Sequence, residues 1–418
     1  MTACAIEEAV SGDGSGRGFG LAFEPDKAVR LPETRFTLSA DGCYAARLAG
    51  TGEARYVERW TLDGPEPYTV ALPLGQPEEP DSEVAPMADG RVLIRRRIAG
   101  RQAFSLLYPT GPGTGELLLG VADSSAMTLL PPSPDGNCVY ALAPDASRTT
   151  SASGASTASG EGTTAVWRVA GGAFGAVRVA EVPGHCSGGV WLDRGGRILA
   201  LDQELGGVTK TVTVDLERGG EVTPLLQIAE DSNDRLLLAD PESGLLLIRS
   251  DAAGHDRLGW GVLGSRRPVR FPECLRLADA AVTPFAIQPG QVLSPENCAV
   301  ALRIDGAAGS WLGVWRPAAR RMVQIAAPDG WLPGAGMWTR QGELRLPCAT
   351  PQTPCSVARV PMPELPDSVG APTGSTPTTH AESAGGERHG GDATGAGASA
   401  CKPVPLQQAA LVGRLTPG

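Results

Sequence analysis

Histidine and the usual metal-binding motifs are scarce in this sequence. Among its 418 residues there are only four histidines, and neither a Cys-x-x-Cys pair nor a His-rich stretch occurs. A structural zinc site is therefore not expected. The nine cysteines are an odd number and fall mostly in strand-like segments, which is typical of small buried hydrophobic residues in a reducing compartment. Cys348 and Cys355 flank a Pro-rich loop, and a disulfide between them stays open as an alternative.

Long apolar runs and an excess of positive charge are also lacking. No segment approaches the roughly 18 consecutive apolar residues of a membrane helix, and residues 1–14 lack the basic start and apolar stretch of a secretory signal. The formal net charge is −10, which argues against general nucleic-acid binding because clustered Lys and Arg hold a polyanion. We expect a cytoplasmic protein with no nucleic-acid or membrane partner, and we interpret the basic run at residues 95–97 as a solvated strand end.

Helix signals are weak, whereas a turn-and-strand unit recurs. With 55 Gly and 36 Pro, long helices are not expected. The clearest copy is residues 128–143, TLLPPSPDGNCVYALA, in which Ser133-Pro134-Asp135-Gly136 predicts a hairpin turn between two strands. Asn best replaces Gly where φ is positive, so an Asn at the closing position is expected to share that backbone geometry. Related turns close at seven positions: Gly42, Gly90, Gly136, Gly196, Gly244, Asn297 and Gly342.

The spacing of these turns predicts the architecture. Successive closures lie 45 to 60 residues apart, a period that suits propeller repeats and is too long for solenoids. Strand-like runs on both sides of each closure predict four antiparallel strands per unit, and the two apolar faces of such a blade need neighbours to cover them. The sequence thus predicts an all-β, seven-bladed β-propeller of four-stranded antiparallel blades. The seventh unit has only three strands, so we expect an N-terminal strand at residues 18–23, GFGLAF, to close the ring.

The turn sequences also carry a family resemblance. Ser133-Pro134-Asp135-Gly136, Ser39-Ala40-Asp41-Gly42 and Met87-Ala88-Asp89-Gly90 resemble the turns of β-propellers of the TolB-type and WD-repeat-like class. The resemblance covers roughly residues 18 to 363, and it implies a fold and not a function. The Gly-His and Trp-Asp signature of WD repeats is absent.

Composition divides the chain into four parts. Residues 1–14 are predicted to be a flexible N-terminal tail, and residues 15–364 the propeller, with a disordered loop insertion at residues 145–164. Residues 365–403 are rich in Gly, Ala, Thr, Ser and Pro, which is typical of a disordered linker. Residues 404–418 form a short C-terminal segment.

Candidate binding residues lie in loops that a propeller gathers on one face. These loops join second to third strands and fourth strands to the next blade, and here they carry many carboxylates. An acidic opening favours cations or amines. We predict no cofactor; the alternative is Ca²⁺ or another divalent metal ion at the axial opening, with its ligands unknown. Ordinary solvated loop charges are the simplest interpretation. The ligand-binding candidates are Asp231, Asp234, Asp251, Asp256 and Trp331.

Three residues are candidates for catalysis. His185 and His255 are expected in loops of neighbouring units on this same face, where two imidazoles could form an acid/base pair or bind a metal. Surface histidines without a role are the simpler interpretation. Cys186 lies in Gly-His-Cys-Ser-Gly at residues 184–188, a spacing similar to the nucleophile elbow of dienelactone-hydrolase-like enzymes. That elbow opens a helix, whereas residues 189–193 predict a strand.

Two classes of function follow from these observations. The first is a non-catalytic recognition or scaffold propeller that binds a protein, peptide or small ligand on its loop face, and the shortage of histidine and of catalytic motifs favours it. The alternative is a propeller enzyme, a lyase, cyclase or hydrolase, with His185 and His255 in an axial pocket and possible assistance from a metal.

Overall fold

The computed structural model describes residues 36–145, 162–173 and 175–363, and these form 26 β-strands. Helical structure in this part of the chain is limited to short 3₁₀ turns. The strands form seven antiparallel sheets, each built from consecutive segments of the chain. The prediction of an all-β, seven-bladed propeller is therefore confirmed.

Blades 1 to 4 each contain four strands paired in chain order. Their bounds, four strands to a blade, are β1 (Thr37–Leu38), β2 (Tyr44–Ala49), β3 (Tyr56–Thr61), β4 (Tyr68–Leu72), β5 (Glu83–Pro86), β6 (Val92–Ile98), β7 (Arg101–Pro109), β8 (Thr114–Ala122), β9 (Thr128–Leu129), β10 (Val139–Asp145), β11 (Thr163–Ala170), β12 (Val177–Pro183), β13 (His185–Trp191), β14 (Ile198–Leu205), β15 (Val208–Asp215) and β16 (Glu221–Leu226).

Blades 5 and 7 have three paired strands each among the described residues, and blade 6 has four. In blade 5 an isolated bridge between Trp260 and Arg270 occupies the fourth position. The strands of the three blades are β17 (Asp234–Ala239), β18 (Leu245–Ser250), β19 (Arg257–Val262), β20 (Ala280–Ile287), β21 (Val300–Gly306), β22 (Gly309–Trp315), β23 (Val323–Ile325), β24 (Met337–Trp338), β25 (Glu343–Cys348) and β26 (Ser356–Pro361).

Every predicted closure lies between the first and second strands of a blade, and the turn chemistry explains why. At Gly136, φ is +68°, and the Gly136 N–H donates to the Ser133 carbonyl over 2.7 Å. The Asp135 carboxylate accepts the N–H of Asn137 (3.1 Å) and the hydroxyl of Ser133. The Asp side chain thus satisfies the backbone of the reversal, and Gly supplies a positive φ without a steric cost.

The closure at Asn297 departs from this pattern. It ends a 3₁₀ turn, Pro295–Asn297, and Ala99 is the only non-glycine residue with a positive φ in the described part of the chain. The predicted positive φ at Asn297 is therefore wrong. The connection from β20 to β21 is longer than the other turns, so the chain reverses through the 3₁₀ turn, and the positive φ of this connection lies at Gly290 (+93°).

The core consists of apolar clusters shared by neighbouring blades. Phe104 of blade 2 packs in one cluster with Val139 of blade 3, and equivalent clusters join every further pair from blade 1 to blade 7. Blade 7 also meets blade 1, because a Cβ placed on Gly42 would lie 1.6 Å from Sδ of Met337. The seven blades therefore close a ring, and the contacts between first strands of successive blades place those strands on its inside.

Several predicted segments lie outside the described residues. These are the closing strand at residues 18–23, the tail 1–14, the linker 365–403 and the segment 404–418. Of the predicted insertion at residues 145–164, the structure describes residue 145 and residues 162–164. Asp145 ends β10, and Thr163 begins β11. In the part of the chain that the structure describes, no helix has the length and apolar character needed to cross a membrane.

Candidate functional site

The upper face of the propeller, as we use the term, is built from the loops that join second to third strands and fourth strands to the next blade. His185 begins β13, and His255 lies in the loop between β18 and β19, so both belong to this face. Both are exposed, and neither imidazole makes a hydrogen bond or an ion pair with the described residues. The pairing that acid/base catalysis needs is therefore not formed between them.

Five carboxylates of the upper face are paired with basic side chains. Most of these bases come from the ends of second strands and the starts of third strands, which reach the same face. The predicted acidic opening is thereby partly neutralised. The pairs are Glu78 with Arg96 (2.7 Å), Asp81 with Arg97 (3.0 Å), Asp123 with Arg101, Asp234 with Lys210 (2.9 Å) and Asp256 with Arg249 (2.9 Å).

Asp234 is fully buried and saturated with hydrogen bonds. Its carboxylate binds Lys210 Nζ, accepts the Ile228 N–H (2.8 Å), and accepts the hydroxyls of Ser250 (2.6 Å) and Ser232 (2.9 Å). These partners come from the loop before β17 and from β15 and β18. Asp234 therefore anchors a loop of the upper face.

Asp251 fixes the same loop from the outside. Its carboxylate accepts the backbone N–H of Asn233 (2.7 Å) and the Asn233 side-chain amide (2.8 Å), and these bonds lower the pKa of Asp251. Asp231, two residues before Asn233, is exposed. The blade 4 to blade 5 connection is thus held on both sides by carboxylates.

Cys186 has the opposite character from a nucleophile. It is 5% exposed, and burial raises the pKa of its thiol to about 11. Its backbone N–H donates to Thr164 Oγ1 (2.9 Å), and β13 continues through it as a strand to Trp191. At neutral pH the thiol is protonated, and the helix that an elbow requires is replaced by a strand.

The remaining predicted residues also serve the fold. Trp331 is buried, packs against Phe285 with ring centroids 5.7 Å apart, and donates its indole N–H to the Ala335 carbonyl (2.8 Å), so its ring is not available at the surface. Cys348 and Cys355 are both free thiols, because the residue opposite Cys348 across the hairpin is Ser356. The possible disulfide between them is therefore not formed.

A metal site receives no support from the described residues. No three His, Cys, Asp or Glu side chains there are grouped closely enough to hold an ion. Five of the carboxylates on this face have Arg or Lys partners instead.

Sequence reasoning missed a buried carboxylate on the inner side of blade 4. Asp202 is 6% exposed, and it accepts the Thr211 hydroxyl (2.9 Å) and the Leu236 N–H (3.1 Å). Burial raises its pKa, while Arg235, 3.7 Å away on the first strand of blade 5, opposes that effect. The available signal was a single Asp within the apolar run ILALD of an inner strand.

A cleft between blades 5 and 6 was also missed. It opens on the upper face, and its volume is about 140 Å³. Three arginines line it, Arg249, Arg257 and Arg276, together with one carboxylate, Asp256. Its walls come from the end of β18, the start of β19, the loop before β20 and the start of β20. We call it the blade 5–6 cleft.

Comparisons by sequence return no relative: no family model and no curated protein matches the chain.

Comparisons by structure return propellers at low identity. Pyrococcus horikoshii acylaminoacyl peptidase is 11% identical with a TM-score of 0.47, over 76% of this chain and 49% of that one, so the chain spans about half the length of that peptidase. Kuenenia stuttgartiensis hydrazine synthase is 13% identical with a TM-score of 0.49, over 81% of this chain and 99% of that one. Vibrio parahaemolyticus oligogalacturonate lyase is 11% identical with a TM-score of 0.49, over 79% of this chain and 90% of that one. None of these activities is assigned to this chain.

Proposed function

We propose that this protein is a recognition propeller that holds a protein, peptide or small ligand on its upper face without transforming it. The observation that carries the proposal is the state of the reactive groups on that face. Cys186 is buried with a pKa raised to about 11, and Asp234 is saturated by four donors. The imidazoles of His185 and His255 have no partner among the described residues.

Catalysis would need the reverse arrangement. A nucleophilic thiol needs a lowered pKa, and a general acid or base needs a second group that orients it. The polar groups of this face instead hold loops in place. A rigid surface of this kind suits binding, since little conformational freedom is lost when a ligand docks on ordered loops.

The experiment compares binding with conversion in one mixture. The purified chain is equilibrated by dialysis with a defined pool of random-sequence peptides, small organic acids and amines, and the pool is analysed by mass spectrometry. We expect a subset to be retained with unchanged masses. The double variant His185→Ala, His255→Ala should retain the same subset, because neither imidazole supports the fold through a bond.

Two outcomes contradict the proposal. Retention of no compound would remove the binding function. A new mass that forms with the wild-type chain and not with the double variant would establish the alternative, a propeller enzyme that uses the two histidines.

A further inference from the structure

The blade 5–6 cleft concentrates positive charge on a protein whose net charge is −10. Its lining contains three guanidinium groups and one carboxylate. Its volume of about 140 Å³ is well above the ~15 Å³ that a single water requires. The cleft can therefore admit a small organic group.

Arg249 is held in place across the two blades. Its Nη1 donates to Asp256 Oδ2 (2.9 Å) and its Nη2 donates to the Val282 carbonyl on β20 (3.0 Å). These bonds use two of the five guanidinium N–H groups. The side chain is thus held in the wall of the cleft and keeps donors for a ligand.

The other two arginines differ in how they are bound. Arg257 donates to the Phe271 carbonyl (3.2 Å) and pairs with Glu273, so its position is also fixed. Arg276 is exposed, and its guanidinium has no hydrogen-bond or ion-pair partner among the described residues. Arg276 is the cation of this cleft whose charge is not already compensated.

The floor of the cleft is apolar. Leu258, Leu275 and Val282 line it and are 7%, 4% and 6% exposed. An occupant that has one anionic end and a short aliphatic stem matches both parts of the lining.

We propose that the blade 5–6 cleft binds a carboxylate carried on a short aliphatic stem, with Arg276 and Arg249 at the carboxylate and the Leu258, Leu275 and Val282 side chains against the stem. The carboxylate is that of a free acid or of a peptide ending in an aliphatic residue. This inference rests on the proposed function, because it specifies the ligand class that the upper face recognises.

Carboxylate is favoured over phosphate by the charge of the cleft, because a guanidinium forms bidentate pairs with either anion. Asp256 also faces the cleft, and its charge repels a dianion more strongly than a monoanion.

The test is titration calorimetry of the 418-residue chain with 4-methylpentanoate, its neutral amide, inorganic phosphate, and a heptapeptide ending in Leu with a free or an amidated C-terminus. We expect heat with the free carboxylates and little with the amides or phosphate. Arg276→Gln should weaken carboxylate binding about tenfold, the value of one charge-assisted hydrogen bond. A peptide that binds more tightly than the free acid identifies a peptide C-terminus as the source.

The matched control is Arg320→Gln. Arg320 is an exposed arginine in the turn between β22 and β23, on the opposite face. The Arg320→Gln variant should bind the carboxylates as tightly as the wild type. Three outcomes would overturn the inference. They are equal affinity for the acid and its amide, equal affinity for phosphate and the carboxylate, and an equal loss of carboxylate affinity in Arg276→Gln and Arg320→Gln.

Failure of this inference is separable from failure of the proposed function. Ligands retained from the mixed pool that are unaffected by Arg276→Gln would contradict the cleft and leave the recognition function standing. A carboxylate that binds through Arg276 and is chemically converted would support the cleft and contradict the recognition function.

Discussion

Asp202 shows how a single carboxylate sets the pH response of the inner strands. It lies within the sheet of blade 4, and its partners come from β15 and from the first strand of blade 5. Burial disfavours its charged form and raises its pKa, and the hydrogen bonds and the partly exposed Arg235 only partly offset this effect. The folded state therefore favours a proton on Asp202 more than the unfolded chain does.

We predict that the free energy of unfolding of the Asp202→Asn variant increases relative to that of the wild type as pH rises. The sign follows from linkage: a raised pKa in the fold gives a contribution that is present below the unfolded pKa of about 3.9 and is lost as pH rises through the folded value. Asn keeps an oxygen acceptor and never ionises. Urea unfolding of variant and wild type at pH 4 and pH 7 measures this change. A variant that becomes less stable relative to wild type from pH 4 to pH 7 would contradict the prediction.

Asp251→Asn should give the opposite sign. The pKa of Asp251 is lowered by its two bonds from Asn233, so its contribution is present above the unfolded pKa and is lost as pH falls through the folded one. The variant should be less stable than wild type at pH 7, and the gap should narrow towards pH 3. The same urea series checks this, and a gap that widens on acidification would refute it.

Single-residue burial is where sequence reasoning fell short. The sequence predicts a solvated strand end for the basic run at residues 95–97, yet Arg95 is 6% exposed and donates hydrogen bonds to Gln102 (2.8 Å) and Glu83 (3.2 Å). Arg96 forms a bidentate pair with Glu78, each bond 2.7 Å. Such partners are 7 to 18 residues distant along the chain. Composition shows the charge, but only the strand register shows its counter-ion.

At the level of the element, the turn between the first and second strands is the most predictable part of the chain. The same short sequence meets the same backbone need in blade after blade, and six of the seven closures are glycines with φ between +65° and +83°. Local chemistry decides these turns. At Asn297 the longer connection allows a different reversal, and the local rule does not apply.

Two glycines with a positive φ separate backbone strain from crowding, Gly136 in the turn between β9 and β10 and Gly254 in the loop between β18 and β19. Gly136 has φ +68°, and an added Cβ would lie 2.6 Å from the Ala88 Cβ of blade 2; Gly254 has φ +88°, and an added Cβ would meet no atom within 4 Å. We expect Gly254→Ala to cost about 1 kcal/mol from backbone strain alone. Gly136→Ala should cost about 2 to 3 kcal/mol, because overpacking is added. Equal urea midpoints for the two variants would show that the blade contact has no energetic role.

At the scale of the molecule, the repeat period predicted the number of blades because each unit must cover its apolar faces with its neighbours. The clusters between successive blades meet that need. The candidate site was less predictable, because a cleft such as that between blades 5 and 6 depends on where the loop before β20 lies against β18 and β19. No sequence period encodes that placement.

An ionic contact also ties distant blades together on the lower face, the face opposite the candidate site. Glu242, in the turn between β17 and β18, pairs with Arg194 from blade 4 and with Arg340 from blade 7 (Nη1 to Oε2, 2.9 Å). Gln288 of blade 6 donates to the Arg340 carbonyl (3.4 Å). Turns from blades 4, 5 and 7 thus meet at one carboxylate that is 9% exposed, and blade 6 contacts the backbone of Arg340.

We predict that Glu242→Gln lowers the free energy of unfolding by about 1 to 2 kcal/mol, because hydrogen bonds between charged groups are lost while the two arginines stay partly hydrated. The matched control is Glu296→Gln. Glu296 also pairs across blades, with Arg267 at 3.4 Å, but its side chain is 35% exposed and that of Arg267 is 71% exposed, so the loss of this pair should cost less than about 0.5 kcal/mol. Urea unfolding at low and high salt measures both. If burial gives the Glu242 contact its strength, the stability cost of Glu242→Gln persists in high salt, since buried pairs are screened least.

A cost for Glu242→Gln that disappears in high salt, or that only equals the cost of Glu296→Gln, would contradict this prediction. The ring would then be held by its apolar clusters alone.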